Sequence, residues 1–298
     1  MPRLLPACYF AATALTAVGC MVNVDRQGYI EREEKRFEVT EATDLRLYTF
    51  DGSIEIRTWD RPDALVEIEK RGQDKDAVSK IQVLVDKAGG RIQIEARHPG
   101  SSGVFVGIGS YTSPSAKFIV SVPRRISVMA RTGDGAIVVE RIDGRLELRT
   151  DDGTIRATET SGELVAETGD GSITLDEVAG RIEVRTDDGS LRITGTPTVL
   201  RARSGDGTIV LRIRRGAKMT EDWMVATSDG SISAELPDDF NATIEADPGS
   251  DGRARSELAL TSVSGGTHDA RTLRGVLGAG GKNFVLRTGD GTIRLTKF

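Results

Sequence analysis

Thr132-Gly133-Asp134-Gly135, Thr150-Asp151-Asp152-Gly153, Thr168-Gly169-Asp170-Gly171, Thr186-Asp187-Asp188-Gly189 and Ser204-Gly205-Asp206-Gly207 stand eighteen residues apart and decide how this chain folds. The unit returns at Thr227-Ser228-Asp229-Gly230 and Thr288-Gly289-Asp290-Gly291, and Gly144, Gly162 and Gly180 fall half a period between the main glycines. A fixed period marks units that bury their apolar faces only by stacking. Outward from each glycine, positions plus two and plus four are apolar: Ile137 and Val139, Leu146 and Leu148, Ile155 and Ala157, Ile173 and Leu175, Ile182 and Val184. Between them lie Val138, Glu147, Arg156, Val165, Thr174, Glu183 and Arg192, mostly polar. Alternation of period two is the pattern of a strand with one dry and one wet face.

Two nine-residue strand-and-turn units make one coil, and corresponding strands of successive coils then lie side by side. The expected fold is all-β: a right-handed parallel β-solenoid, or β-helix, with two-sided coils of about 18 residues, its hand that of most parallel crossovers. Ile137, Ile155, Ile173, Leu191 and Ile209 should form one core file, and Leu146, Leu164, Ile182 and Leu200 the other. Glycine at each corner is expected at positive φ, where a Cβ is penalised, and Asp suits the same turn.

The leader has Arg3, an apolar stretch Leu4 to Val18, and then Ala17-Val18-Gly19-Cys20. It is short for a membrane span and reads as an export signal. Ala-Val-Gly-Cys resembles a bacterial lipobox, with Ala17 where Leu is most common, so Cys20 is the expected site of lipidation. Cleavage as an ordinary signal peptide and an uncleaved anchor are the other readings. Residues 1–20 are thus a lipoprotein-type signal peptide and 21–36 a polar tether. Residues 37–298 form the β-solenoid domain: an irregular capping section at 37–131, regular repeats at 132–246 and looped terminal coils at 247–298, with one strand near Leu258–Leu260. The cap would close the open edge of the stack, which otherwise invites pairing with another chain.

With 38% hydrophobic and 5% aromatic residues the chain is lean for one round core and suits a thin, elongated one. Net charge is −5 with no Lys/Arg block, so nucleic acid is not an expected partner. Cys8 and Cys20 both belong to the leader, leaving no disulfide, zinc site or cysteine nucleophile in the mature domain.

Asp134, Asp152, Asp170, Asp188 and Asp206 share one phase and form a file along one edge, with Arg131, Arg149, Arg185 and Arg203 three residues earlier as counter-charges. Calcium binds stacked Asp and Gly turns in some solenoids, but the Gly-Gly-x-Gly-x-Asp order is absent and calcium wants six to eight oxygens. Turn chemistry is the simpler reading, and no metal or cofactor is expected. Asp143, Ser161, Ala179 and Pro197 occupy the opposite corner, so the two edges differ. Catalysis has little to stand on. His98 and His268 lie in expected loops without a cysteine partner, and no carboxylate pair stands apart from the repeat. The loop Gly100–Ser115, with Val104, Phe105, Val106, Ile108 and Tyr111, either folds back over the end of the stack or meets a partner or lipid. It lacks the strand-to-helix context and Gly-Lys-Ser/Thr of a phosphate loop.

The lipobox-like leader is joined by Asp51-Gly52-Ser53-Ile54-Glu55-Ile56 followed by Trp59-Asp60, by Val122-Pro123, by the Thr-x-Asp-Gly-x-Ile ladder, and by Gly278-Ala279-Gly280-Gly281 before Leu286 to Ile293. Together these resemble the bacterial putative-adhesin family of unknown function, from about Phe37 to the end. The resemblance implies an exported, often membrane-anchored parallel β-solenoid and supplies no catalytic residues. The expected function is that of a non-enzymatic envelope lipoprotein, membrane-anchored through its N-terminal lipid, in the outer membrane or periplasm of a two-membrane host. Its extended surface would bind an envelope protein or glycan. A carbohydrate-active β-helix enzyme and a structural or sensor subunit are the alternatives. Outward Arg156 and Arg192 on one face, against Glu147 and Glu183 on the other, mark Arg156/Arg192 as the candidate binding face.

Overall fold

The protein is described by a computed structural model covering residues 21–25, 28–98, 113–264, 269–270 and 272–297. Its N-terminal part holds β1 (Met21–Asp25), β2 (Gly28–Glu38), β3 (Asp44–Thr49), β4 (Ile54–Thr58), β5 (Asp63–Gly72), the helix α1 (Lys75–Ser79), β6 (Gln82–Ala88), β7 (Arg91–Arg97) and β8 (Ser115–Val122). The repeats hold β9 (Ser127–Thr132), β10 (Ile137–Glu140), β11 (Asp143–Thr150), β12 (Ile155–Thr158), β13 (Ser161–Thr168), β14 (Ile173–Thr186), β15 (Leu191–Ser204) and β16 (Ile209–Ile213). Then come β17 (Trp223–Thr227), β18 (Ile232–Leu236), β19 (Ala242–Asp247), β20 (Arg253–Ser256), β21 (Thr261–Ser264), β22 (Asp269–Ala270), β23 (Leu273–Leu277), β24 (Asn283–Thr288) and β25 (Thr292–Lys297).

All of these strands belong to one hydrogen-bonded sheet, parallel in the middle and antiparallel at its ends. On one face the order is β1-β2-β5-β8-β4-β10-β12, the first half of β14, the first half of β15, β16-β18-β25-β20-β22. On the other it is β6-β7-β3-β9-β11-β13, the second halves of β14 and β15, β17-β24-β19-β23-β21. Ile137, Ile155, Ile173, Leu191 and Ile209 are in register, and so are Leu146, Leu164, Ile182 and Leu200. Both files are buried in one apolar cluster. Trp223, Phe240 and Phe284 close it towards the C-terminal end, their ring centroids 5.4 to 6.4 Å apart.

The corner glycines correct the expected cause of the repeat. At the Asp-Gly corners, Gly135, Gly153, Gly171, Gly189 and Gly207 do not have positive φ; at the opposite corner the expectation holds for Gly162 and Gly180, at 111° and 102°, and Arg141, Glu159 and Glu177 share the region with φ of 58°, 52° and 51°. What excludes a side chain is the neighbouring coil. A Cβ on Gly171 would lie 1.9 Å from the carbonyl oxygen of Gly153, and one on Gly189 1.9 Å from that of Gly171. The column runs from Gly52 through Gly135 and Gly230 to Gly291. Each of these carbonyls also accepts a buried hydroxyl. Thr132 donates to Gly52 at 2.7 Å, Thr168 to Gly153 at 2.8 Å, Ser204 to Gly189 at 2.8 Å and Thr288 to Gly230 at 2.7 Å. In return the Gly153 and Gly189 amides donate to Thr150 and Thr186 Oγ1 in their own turns, both at 3.1 Å.

Several expected boundaries change. Residues 28–36 of the expected tether lie in β2, which pairs antiparallel with β5. Their charges are cross-strand partners, Arg32 with Glu69 at 2.8 Å, Arg36 with Asp63 at 2.9 Å and buried Lys70 with Glu33. Much of the expected irregular cap is stacked in register with the repeats, since Ile54 pairs with Ile137 and Leu45 with Val128. Only β1, β2, β5 and β6 form the antiparallel end. Near the C-terminus, Leu258 to Leu260 is not a strand. The Leu258 amide bonds to Ser256 Oγ at 3.1 Å and the Leu260 amide to the Leu258 carbonyl at 3.0 Å, so neither joins a ladder. Strands β20 and β21 flank it.

Gly171→Ala should therefore destabilise the protein by at least ~3 kcal/mol, the upper range for forcing atoms into a packed site, with denaturant unfolding as the measurement. A cost under about 1 kcal/mol would contradict the close approach. Thr168→Val should cost about 1–3 kcal/mol because it leaves the Gly153 carbonyl without its hydroxyl donor. Thr168→Ser should retain most of the stability, as Ser204 already occupies the equivalent place; equal loss in both variants would show that the methyl, not the hydroxyl, matters.

Candidate functional site

Strand alternation places Arg156 on β12 and Arg192 on β15, both exposed, with Thr174 of β14 in register between them. At about 4.8 Å per strand they stand roughly 10 Å apart on a fixed ladder. Their further neighbours in the row are Val138 and Val210, which carry no charge. Among the described residues neither guanidinium has a hydrogen-bond or ion-pair partner.

Glu147 and Glu183 do lie on the other face. That face is not acidic, however, and the expected contrast of sign gives way to one of pairing. Arg149 bridges Glu147 at 3.4 Å and Glu167 at 3.3 Å, Arg145 meets Glu163 at 3.2 Å, and Arg181 holds Glu221. The Arg181 guanidinium holds the Glu221 carboxyl below its ordinary range. The hollow of about 370 Å³ lined by Arg131, Arg149 and Arg185 also contains Asp151, Glu167 and Asp187. Exposed pairs of this kind add little stability, about 0–1 kcal/mol each, but they occupy the charges a ligand would need.

The aspartate file exists as exposed Asp134, Asp152, Asp170, Asp188 and Asp206, one per turn. Its expected counter-ions are engaged elsewhere: Arg131 with Asp151 at 3.8 Å, Arg185 with Asp187 at 3.1 Å, and Arg203 beside Met224 Sδ at 3.7 Å. At the foot of the file, burial together with the Asp134 charge pushes the Asp51 carboxyl above its ordinary value, against the Gly52 amide. Among the described residues no three His, Cys, Asp or Glu side chains are grouped to hold a metal ion. At the opposite corner Asp143 accepts from Arg124 Nε and Ser161 Oγ, both at 2.6 Å. The Arg124 contact, aided by Ser161, holds the Asp143 carboxyl below its usual range.

His98 packs its ring 5.6 Å from Phe50. Cys8, Cys20, His268 and the apolar stretch Val104 to Tyr111 lie outside the described residues. The threonines were the residues whose part sequence reasoning missed. Their constant phase, three before each corner glycine, was the available signal.

No curated protein matches this chain. Among solved structures it is similar to a putative adhesin from Bacteroides fragilis, 14% identical, covering 89% of this chain and 96% of that one with a TM-score of 0.45. It is also similar to a putative cell adhesion protein from Clostridium sporogenes, 12% identical, covering 90% and 100% with a TM-score of 0.28. The decisive match is to a family of sequences and spans residues 42–296, from the strand before the first Asp-Gly turn to the last coil. The chain belongs to the Toastrack DUF4097 family.

Proposed function

We propose that this protein is a non-enzymatic binding protein of the bacterial cell envelope, exported and held to the membrane by lipid on Cys20. In this reading its parallel repeats wind as right-handed, two-sided coils of about 18 residues, and the Arg156/Arg192 face receives an acidic glycan or protein. One observation carries the choice of face. Arg156 and Arg192 stand unpaired on a rigid ladder, whereas Arg145, Arg149, Arg181 and Arg185 on the other face are engaged by carboxylates. A polyanion meeting the first face gains attraction without first breaking ion pairs. Many weak contacts along a rigid array add through effective concentration.

Arg156→Glu/Arg192→Glu should weaken retention on immobilised acidic glycans and acidic envelope proteins by about tenfold at low salt, with both proteins converging as ionic strength rises past the point where the Debye length is about 8 Å. Equal retention of wild type and variant would remove this face from the binding reaction. Cys20→Ser should release the protein from the membrane fraction and abolish the mass increment of a diacylated N-terminus. An unmodified wild-type chain by intact-mass measurement, or a variant that stays membrane-bound, would overturn the anchor.

A further inference from the structure

Along the Arg156/Arg192 row, the ladder continues through Val210 and Ser233 to Arg294 of β25 and Arg255 of β20. There the strand order sets two arginines directly opposite each other, and Arg253, two residues before Arg255, is in register with Thr292. Like charges directly opposite are destabilising in a sheet. On the other face Arg149, opposite Arg131, is neutralised by Glu147 and Glu167. Here Arg253 and Arg294 have no partner among the described residues, whereas Arg255 has one of its own. Of the nearby carboxylates, Glu235, two residues beyond Ser233, is held by Arg212 Nε at 2.5 Å, and exposed Glu257 lies two residues beyond Arg255, outside the hollow that the three arginines line.

That hollow, of about 380 Å³, also contains Ser231, Ser233 and Thr292 and no carboxylate. It is the counterpart of the hollow at Arg131, Arg149 and Arg185, which is similar in size but already filled with negative charge. Guanidinium groups offer forked donors that match the oxygens of sulfate or phosphate, and hydroxyls supply further donors with freely turning hydrogens.

We propose that Arg253 and Arg294, flanked by Arg255 and the hydroxyls of Ser231, Ser233 and Thr292, form a subsite for a single tetrahedral oxyanion, sulfate or phosphate, such as an ester group carried by a ligand on this face. The bound anion supplies the negative charge that Arg253 and Arg294 lack among the described residues. The subsite shares the face of Arg156 and Arg192 but uses neither, so it stands or falls independently of the wider polyanion reading.

The test uses the full chain with inorganic sulfate and, separately, inorganic phosphate, titrated at constant ionic strength maintained by sodium chloride. Heteronuclear NMR should show saturable shifts confined to the amides of 231–233, 253–255 and 292–294, with a dissociation constant in the millimolar range. Arg253→Gln/Arg294→Gln should weaken binding at least tenfold while circular dichroism stays that of a folded β protein. Where the double variant does not fold, Arg253→Gln alone, an exposed position at the start of β20, should weaken it at least threefold. Binding of sulfate and phosphate alike supports a simple oxyanion site. Binding of phosphate alone selects a phosphate ester and binding of sulfate alone a sulfate ester. Shifts that do not saturate, or that persist unchanged in the variants, overturn the proposal. Equal glycan retention by wild type and Arg156→Glu/Arg192→Glu, with sulfate binding intact, would show that the subsite survives the failure of the wider polyanion reading.

Discussion

Everything in this protein hangs on how closely one corner can approach the next. Parallel strands lie about 4.8 Å apart only if nothing at the turns holds them wider. The glycine column meets that demand: a Cβ at Gly153 or Gly207 would sit 2.0 or 1.9 Å from the carbonyl oxygen below. The same carbonyl, drawn inside the edge of the stack, would be costly to leave bare, and the threonine hydroxyl of the next coil satisfies it. Glycine and threonine therefore answer one problem together, one by having no side chain and the other by having a short hydroxyl. The aspartate before each corner glycine of the repeats is exposed, and where a second aspartate precedes it, as Asp151 and Asp187 do, that residue pairs with Arg131 and Arg185.

Order along the chain and order in the stack part company at both ends. The β3/β4 pair lies between β9/β10 and β7/β8, although β7 and β8 come between them in sequence. At the other end β24/β25, last in the chain, lies between β17/β18 and β19/β20. The final strands are thus interior, in contact on both sides, and the outermost strands are β1 and β6 at one end and β21 and β22 at the other. Antiparallel pairing at those ends is what a hairpin return permits once stacking stops. The edge strand β6 leaves Leu84 and Val85 exposed, at 43% and 41%, and follows them with Asp86 and Lys87. Charges of that kind discourage pairing with another edge.

The regular repeats were legible because two periods agree there. The eighteen-residue spacing places Ile155 beside Ile173 and the two-residue alternation sends Arg156 outward, so register and facing follow without any tertiary information. The ends were harder for a physical reason. Residues 28–38 have a charge pattern that reads as solvated tether until β5 is known to lie opposite, bearing Glu69, Asp63 and Lys70 as complements. Helix α1 has five residues, too few for a helical period, and its mark is the single Asp74 cap accepting from the Ala77 amide at 2.8 Å. Positive φ was the right cause at Gly162 and Gly180 but not at the Asp-Gly corners, since φ is a local property and the Gly153 carbonyl that excludes a Cβ at Gly171 belongs to another coil. Of the candidate face, exposure of Arg156 and Arg192 could be read from alternation. Their lack of partners could not, because it depends on which side chains stand in the same row of the stack.

That row explains why a protein rich in arginine is selective about where it offers charge. In a parallel in-register ladder each residue has the same two neighbours for as long as the fold persists, so a sequence controls pairing by choosing which residue types share a row. The row of Arg149 alternates Arg131, Arg149, Glu167 and Arg185, and salt bridges form along and across it. The row of Arg156 runs through Arg156, Thr174, Arg192 and Val210, then Ser233 and Arg294, which separates most of its charges by neutral residues, and Glu55, beyond Val138, is held by Lys117. Spacing lowers the repulsion between arginines enough for the sheet to tolerate them unpaired. Where the spacing lapses, at Arg294 against Arg255, the sheet holds like charges side by side in the hollow shared with Arg253. A fold whose geometry is set by glycine and threonine at its corners is free to write such rows on its faces, so that pairing of surface charge varies from row to row while the corners stay the same.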